Sequence, residues 1–200
     1  MVVTNPEETV SIEDVVSIEE YLSAVDFFAR TKSDFIFPNS SPDHAAIVLA
    51  TIFKYSERDV MIYDNSLNGD IADTNTYLID AIKEYVKDSN KKIKIVIRDD
   101  SKHENSRIYQ LLSSYVKEDK SNVDIRKATT SFTNEVVGIY NKDINFAIGD
   151  STSFRMEKNE SAGQNNTREA ICSFNRSSYA NKLSSVFEKH FFYCPKVNFN

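Results

Sequence analysis

The chain has 200 residues and a mass of 22.8 kDa, which fits one domain, or one domain with a small appendage. Apolar residues make up 40% and charged residues 27%, enough for a sizeable core; only 4 glycines and 4 prolines exclude collagen-like, elastic and generic disordered classes. The net charge of −6 is carried wholly by residues 1–30, where Glu7, Glu8, Glu13, Asp14, Glu19, Glu20 and Asp26 face Arg30 alone. From residue 31 onward 23 acids balance 23 bases, so a nucleic-acid partner would need a local basic patch to displace phosphate counterions.

The first ten residues read as a frayed tail, and Ser17-Ile-Glu-Glu20 as a capping box opening a helix over 17–31, with Ile18, Tyr21, Leu22, Val25 and Phe28 inward. These elements divide the chain into an acidic segment and helix, residues 1–32, and a single domain, residues 33–200. A short strand is expected at 34–37. Ser41 then caps a helix over 42–56, with Pro42 at its first position and apolar residues around most of its circumference. Asp59–Tyr63 is a nearly continuous apolar run of strand length, as in a buried parallel strand. A polar loop follows at 64–70, then a helix over 74–88, a strand over 92–97, a helix over 105–117 and a strand over 123–125.

From there the pattern changes. Residues 135–140, 144–148, 153–156 and 168–174 read as four short strands with turn punctuation, and 177–191 as a closing helix. Alternating βα units followed by strands predict an α/β domain: a mixed, largely parallel central sheet with helices on both faces. Cys172 and Cys194, 21 residues apart when counted between them, form no Cys-x-x-Cys and no zinc spacing with His44, His103 or His190. They read as two buried free thiols in a reducing compartment. The first residues lack the basic and apolar regions of a secretion signal, and the longest apolar run is too short to span a bilayer. A soluble cytoplasmic protein is expected.

Ligands of open parallel sheets gather at the carboxyl ends of the strands. Asn39, Ser40, Ser41 and His44 fall there, as do Asp64, Asn65 and Ser66, and Asp99 and Asp100. Asp64, Asp99 and Asp100 are candidate Mg²⁺ ligands, and turn formation and helix capping explain the same residues equally well. No glycine-rich phosphate cradle and no G-x-S-x-G element is present. His103 and His190 are expected at the solvent surface.

Asn145-Phe-Ala-Ile-Gly-Asp150, the following Phe154-Arg-Met-Glu157, and Cys172-Ser-Phe-Asn175 before a final helix resemble one half of the phospholipase D superfamily fold. In that family a strand carries His-x-Lys-x4-Asp, and a later strand ends in Gly/Ser-x-Asn before a long helix. The resemblance runs over about residues 33–192. It places Ser173 and Asn175 on the Ser-x-Asn element, and Asn145, Ala147 and Thr152 on the histidine, lysine and aspartate. An amide cannot serve as the family's phosphorylated nucleophile, so the resemblance implies a fold without the family's phosphodiester chemistry.

What remains is a polar pocket of Asn145, Asp150, Arg155, Glu157 and Asn175. Arg155 and Glu157 share strand parity, and read either as an exposed cross-strand ion pair or as a ligand-binding pair whose loss leaves the fold intact.

The leading functional expectation is a non-catalytic, phospholipase D-like binding or regulatory module without a cofactor, in a bacterial or phage conflict system. A Mg²⁺-dependent phosphodiesterase or nuclease using the strand-end carboxylates is the second reading. The third is an adaptor whose acidic first helix contacts a basic protein partner. Because the family's sites are built from two halves, a homodimer is expected, with Phe187, Phe191, Phe192, Tyr193 and Phe199 as its apolar patch.

Overall fold

A single mixed sheet of seven strands runs through the chain in the order β1-β7-β6-β5-β2-β3-β4. The structure, a computed structural model, describes residues 17–118, 122–158 and 169–199. The expected tail, the acids Glu7, Glu8, Glu13 and Asp14, and Arg168 at the start of one expected strand lie outside the described residues.

Helix α1 (Ile18–Arg30) starts on the capping box: Ser17 Oγ accepts from the Glu20 amide at 3.3 Å, and the Glu20 carboxylate accepts from the Ser17 amide at 2.8 Å. Strand β1 (Phe37–Asn39) leads into α2 (Pro42–Tyr55), which is capped by Ser41 and buried along most of its length. Strands β2 (Asp59–Asp64), β3 (Lys92–Ile97) and β4 (Val123–Lys127) pair in parallel, in register Asp59↔Lys92 and Ile93↔Val123. Helices α3 (Tyr77–Tyr85) and α4 (Arg107–Lys117) make the crossovers between them. α3 is shorter than expected because Asn75 Oδ1 accepts from the Tyr77 amide at 3.0 Å, holding 74–76 in a turn.

Residues 135–140 belong to a helix, not a strand. Helix α5 (Thr130–Tyr140) is capped by Thr129 and ends on Asn141 in the left-handed region (φ 56°). The β-branched run after Glu135 imitates a strand, but Phe132, Val136 and Ile139 carry the helical spacing that packs. Strands β5 (Phe146–Gly149), β6 (Ser153–Glu157) and β7 (Ala170–Ser173) then run antiparallel to their neighbours, β5 onto β2 (Val60↔Gly149) and β7 onto β1 (Asn39↔Ala170). Pro38 is tolerated in β1 because that strand is a sheet edge. Helix α6 (Ser177–Phe191) closes the fold.

Strand parity divides the interior into two cores. One holds Val60, Ile93, Ile95, Ala147 and Cys172 under α1–α4; the other holds Met61, Tyr63, Phe146 and Phe154 under α5 and α6. α1 is stitched to α2 by the Tyr21–His44 stack (centroids 3.8 Å apart) and by Asp26, which accepts from Lys54 Nζ at 2.6 Å and Tyr55 Oη at 2.9 Å.

The aromatic surplus of the last helix is used internally: Phe187, Phe191 and Phe199 are buried in the chain's own cores, so only Phe192 and Tyr193 of the expected dimer patch are exposed. His190 is also buried, stacked on Phe132 and bonded to Glu135 at 2.7 Å, against the expectation of a surface histidine. Cys172 and Cys194 are buried and neither is in a disulfide. No helix among the described residues is long and apolar enough to cross a membrane.

Candidate ligand-binding site

At the carboxyl edge of the parallel strands a chain of polar side chains runs from the α1–α4 core to Tyr63 of the α5–α6 core. Arg155, on β6, donates from Nε to Asn39 Oδ1 at the end of β1 and from Nη1 to Glu157 Oε1, each at 3.1 Å. Asn145, just before β5, donates from Nδ2 to Glu157 Oε2 at 2.9 Å. Arg98, just after β3, donates to Asn145 Oδ1 and pairs with Asp143 at 2.5 Å. Asp143 and Thr133 in turn bond the Tyr63 hydroxyl, whose ring lies 5.2 Å from the Arg98 guanidinium.

Arg155 and Glu157 share a face, as their parity requires, but α2–α4 cover that face. They are 3% and 2% exposed, a buried ion pair and not the exposed one that the alternating pattern allowed. Two arginines and two carboxylates balance, yet three donors buried in the cluster have no partner: Arg155 Nη2, Asn39 Nδ2 and Arg98 Nε. A buried donor without an acceptor costs about 1–3 kcal/mol, so such groups normally meet water or a ligand. The Asn39 amide cannot flip to relieve this, because its oxygen already accepts from Arg155 Nε.

Arg155, Glu157 and Asn145 line a cavity of about 70 Å³. Its remaining wall comes from β2 (ending at Asp64), β3 and β5, from α2, α3 and α4, and from the loop after β2, including Ser66 and Asp70. That loop is held close by Gly69 (φ +84°), where a Cβ would lie 2.5 Å from both Asp73 Oδ2 and Ser106 Oγ.

The five residues of the expected pocket separate into two places. Asn145, Arg155 and Glu157 meet at the cavity. Asp150 and Asn175 stand at the opposite edge of the sheet, lining a second pocket with Arg30, Lys32 and Arg58. The separation follows from strand direction: β5 runs antiparallel to β2 and β7 runs alongside it in the same sense, so both end at the start of β2, roughly 15 Å from Asn145. There Asp150, itself in the left-handed region (φ 49°), accepts from the Glu57, Arg58 and Asp59 amides at 2.5, 3.0 and 2.9 Å, a structural duty that occupies both oxygens. Asn175 is exposed.

The strand-end acids do not converge either. Asp99 accepts from the Ser101 amide and hydroxyl, Asp100 pairs with Lys127 at 2.7 Å, and Asp64 lines the cavity. Among the described residues no three His, Cys, Asp or Glu side chains are grouped so as to hold a metal ion. Asn39 was among the strand-end residues that sequence reading singled out. Arg98 and Asp143 were not, although Arg98 directly follows an apolar strand and Asp143 stands two residues before Asn145.

Burial pushes the Tyr63 phenol up to about 12, with the Thr133 bond opposing the shift. An unfolded tyrosine releases its proton near pH 10, so between about 10 and 12 the unfolded state holds fewer protons than the folded one and stability falls as pH rises. Urea midpoints measured at pH 8 and 11 should therefore drop less for Tyr63→Phe than for the parent; equal drops would contradict this account of the phenol.

No family model matches the sequence, and no curated protein matches it. Solved structures do. The archaeal chromatin protein TrmBL2, described with a novel mode of DNA binding, superposes with a TM-score of 0.58 at 16% identity; the match covers 90% of this chain, which spans 60% of that protein's length. Nuc of Salmonella typhimurium, a phospholipase D family member, matches at TM-score 0.50 and 15% identity over 80% of this chain and 96% of its own. NucT from Helicobacter pylori matches at TM-score 0.52 and 14% identity, covering 80% of this chain and 98% of its own. The chain has a phospholipase D-like α/β fold.

Proposed function

We propose that this chain is a non-catalytic, phospholipase D-like binding module whose buried Arg155–Glu157 cluster receives an uncharged acceptor oxygen of a small ligand. The observation that carries this reading is the Arg155 guanidinium: Arg155 is part of the cavity wall, its buried Nη2 has no partner, and Glu157 at 3.1 Å already balances its charge. A hydroxyl or carbonyl oxygen satisfies that donor. A phosphodiester would bring a further negative charge beside Glu157, and like charges in a low-dielectric site are mutually costly.

The residues standing at the family motif support the same conclusion. Placed on Asn145, Ala147 and Thr152 the motif finds no histidine or lysine. Placed two residues earlier, where its spacing retains Asp150, it finds Asp143 and Asn145. Neither register supplies the imidazole nucleophile or the cation that the chemistry needs. A regulatory role fits a fold shared with a DNA-binding chromatin protein that is longer than this chain.

The test is thermal stabilisation by acetamide, 1-propanol and inorganic phosphate. The uncharged compounds should raise the melting temperature of the parent and leave Arg155→Met/Glu157→Leu, checked for cooperative unfolding, unmoved. Stabilisation by phosphate alone, equal stabilisation of both proteins, or no stabilisation by any compound would overturn the reading.

A further inference from the structure

The pocket at the opposite edge of the sheet is lined by three exposed cations, Arg30, Lys32 and Arg58, and by two carboxylates, Glu57 and Asp150. Both Asp150 oxygens are taken by the Glu57, Arg58 and Asp59 amides, a contact that also holds the segment carrying Arg58. Asp26 and Asp34, on either side of the end of α1 in sequence, pair with Lys54 and Arg176 instead. Among the described residues none of the three cations is in an ion pair; Arg30 lies over the Phe27 ring at 5.8 Å.

Lys32 is held in a strained position. α1 ends in a Schellman turn, in which the Lys32 amide donates to the Ala29 carbonyl at 3.1 Å and the Ser33 amide to the Phe28 carbonyl at 2.9 Å. That turn puts Lys32 in the left-handed region (φ 52°), which glycine adopts freely and a side chain adopts only with strain. The carbonyl end of a helix favours a cation, but Arg30 already stands in the last turn of α1. What a lysine adds over glycine here is a positive charge at the pocket.

We propose that this pocket is a second binding site, separate from the Arg155 cavity, for a phosphate monoester group. Charge selects the ligand: with Asp150 engaged by amides, Glu57 alone opposes three cations. A monoester brings about −1.5 to −2 at pH 7, whereas a diester brings a single charge. The two guanidinium forks match pairs of phosphate oxygens. Asn175 and Thr152, exposed in the same lining, add an amide and a hydroxyl.

Calorimetric titration of the full chain with ethyl phosphate, diethyl phosphate and a short single-stranded oligonucleotide without terminal phosphates tests the site. Ethyl phosphate should bind about fivefold more tightly than the diester, and Lys32→Gly and Arg58→Gln should each weaken it about fivefold, the upper worth of an exposed ion pair. Glu57→Gln should tighten it. Lys182→Gln, which removes the same charge from an exposed lysine outside the pocket, should change it less than about twofold. Lys32→Gly should also melt about 1–3 °C above the parent, because the strain at φ 52° is relieved. Binding should survive in Arg155→Met/Glu157→Leu, which separates this site from the cavity. Melting of Lys32→Gly below the parent would assign Lys32 to the end of α1, and equal losses in Lys32→Gly and Lys182→Gln would reduce the effect to net charge. Tighter binding of the oligonucleotide than of ethyl phosphate would assign the cations to a nucleic-acid backbone. Any of these three results, loss of binding in Arg155→Met/Glu157→Leu, or no binding of ethyl phosphate would overturn the proposal.

Discussion

Glu157→Ala should lower stability by about 3–5 kcal/mol, because it leaves the Arg155 guanidinium 3% exposed with no counter-charge. For a domain of this size that corresponds to a fall in melting temperature of roughly 6–20 °C. The loss is not the worth of the ion pair itself. Bringing both charges out of water costs nearly what their attraction returns, and the damage comes from stranding one of them. Removing both together, as Arg155→Met/Glu157→Leu, should therefore recover most of the stability, at the cost of one hydrogen bond each to Asn145 and Asn39. Thermal melts of the parent, the single variant and the double variant decide it. A single variant that melts with the parent would mean that water already solvates Arg155, and a double variant as unstable as the single would deny the coupling. This expected loss differs from the sequence reading, in which removing Arg155 as a ligand-binding residue leaves the fold intact; burial of the pair is the reason.

The second large effect belongs to the other edge of the sheet. Gly149 ends β5 where the backbone passes close to α2: a Cβ there would lie 2.2 Å from Ser56 Oγ, 2.6 Å from Ser153 Oγ and 3.0 Å from Ile52 Cγ2. Both hydroxyls are committed, Ser56 donating to the Ile52 carbonyl at 2.7 Å and Ser153 to the Gly149 carbonyl at 3.1 Å. Gly149→Ala should therefore cost about 2–4 kcal/mol through overpacking and lost hydrogen bonds. Adding Ser56→Ala removes the closest clash and should return part of that loss. Chemical denaturation of the two variants tests this; a Gly149→Ala protein as stable as the parent would show that the α2–β5 approach relaxes freely.

The parallel half of the fold was legible in the sequence because its signals are local: apolar runs at 59–63 and 92–97, amphipathic helices between them, and a capping box at Ser17. The Arg155–Glu157 alternation correctly placed both on one face. What local pattern cannot say is whether helices cover that face, and here they do, turning a surface pair into a buried one. Strand direction was equally hidden. Asp150 stands close after Asn145 in sequence, yet the antiparallel run of β5 carries it, and that of β7 carries Asn175, to the far edge. Residues 135–140 were misread because a β-branched run and a helix turn share the same apolar residues, and only packing against α6 distinguishes them. Arg98 joins the cluster from 47 residues before Asn145, a contact made by sheet order alone.

Incubating the purified chain with bis(4-nitrophenyl) phosphate in the presence of Mg²⁺, Mn²⁺, Zn²⁺ or EDTA, and following nitrophenolate release, distinguishes a binding site from a phosphodiesterase. A binding site gives no release above buffer in any of the four conditions. Release that disappears in Asn145→Ala or Asp64→Ala would contradict it, and would make this cavity a catalytic centre.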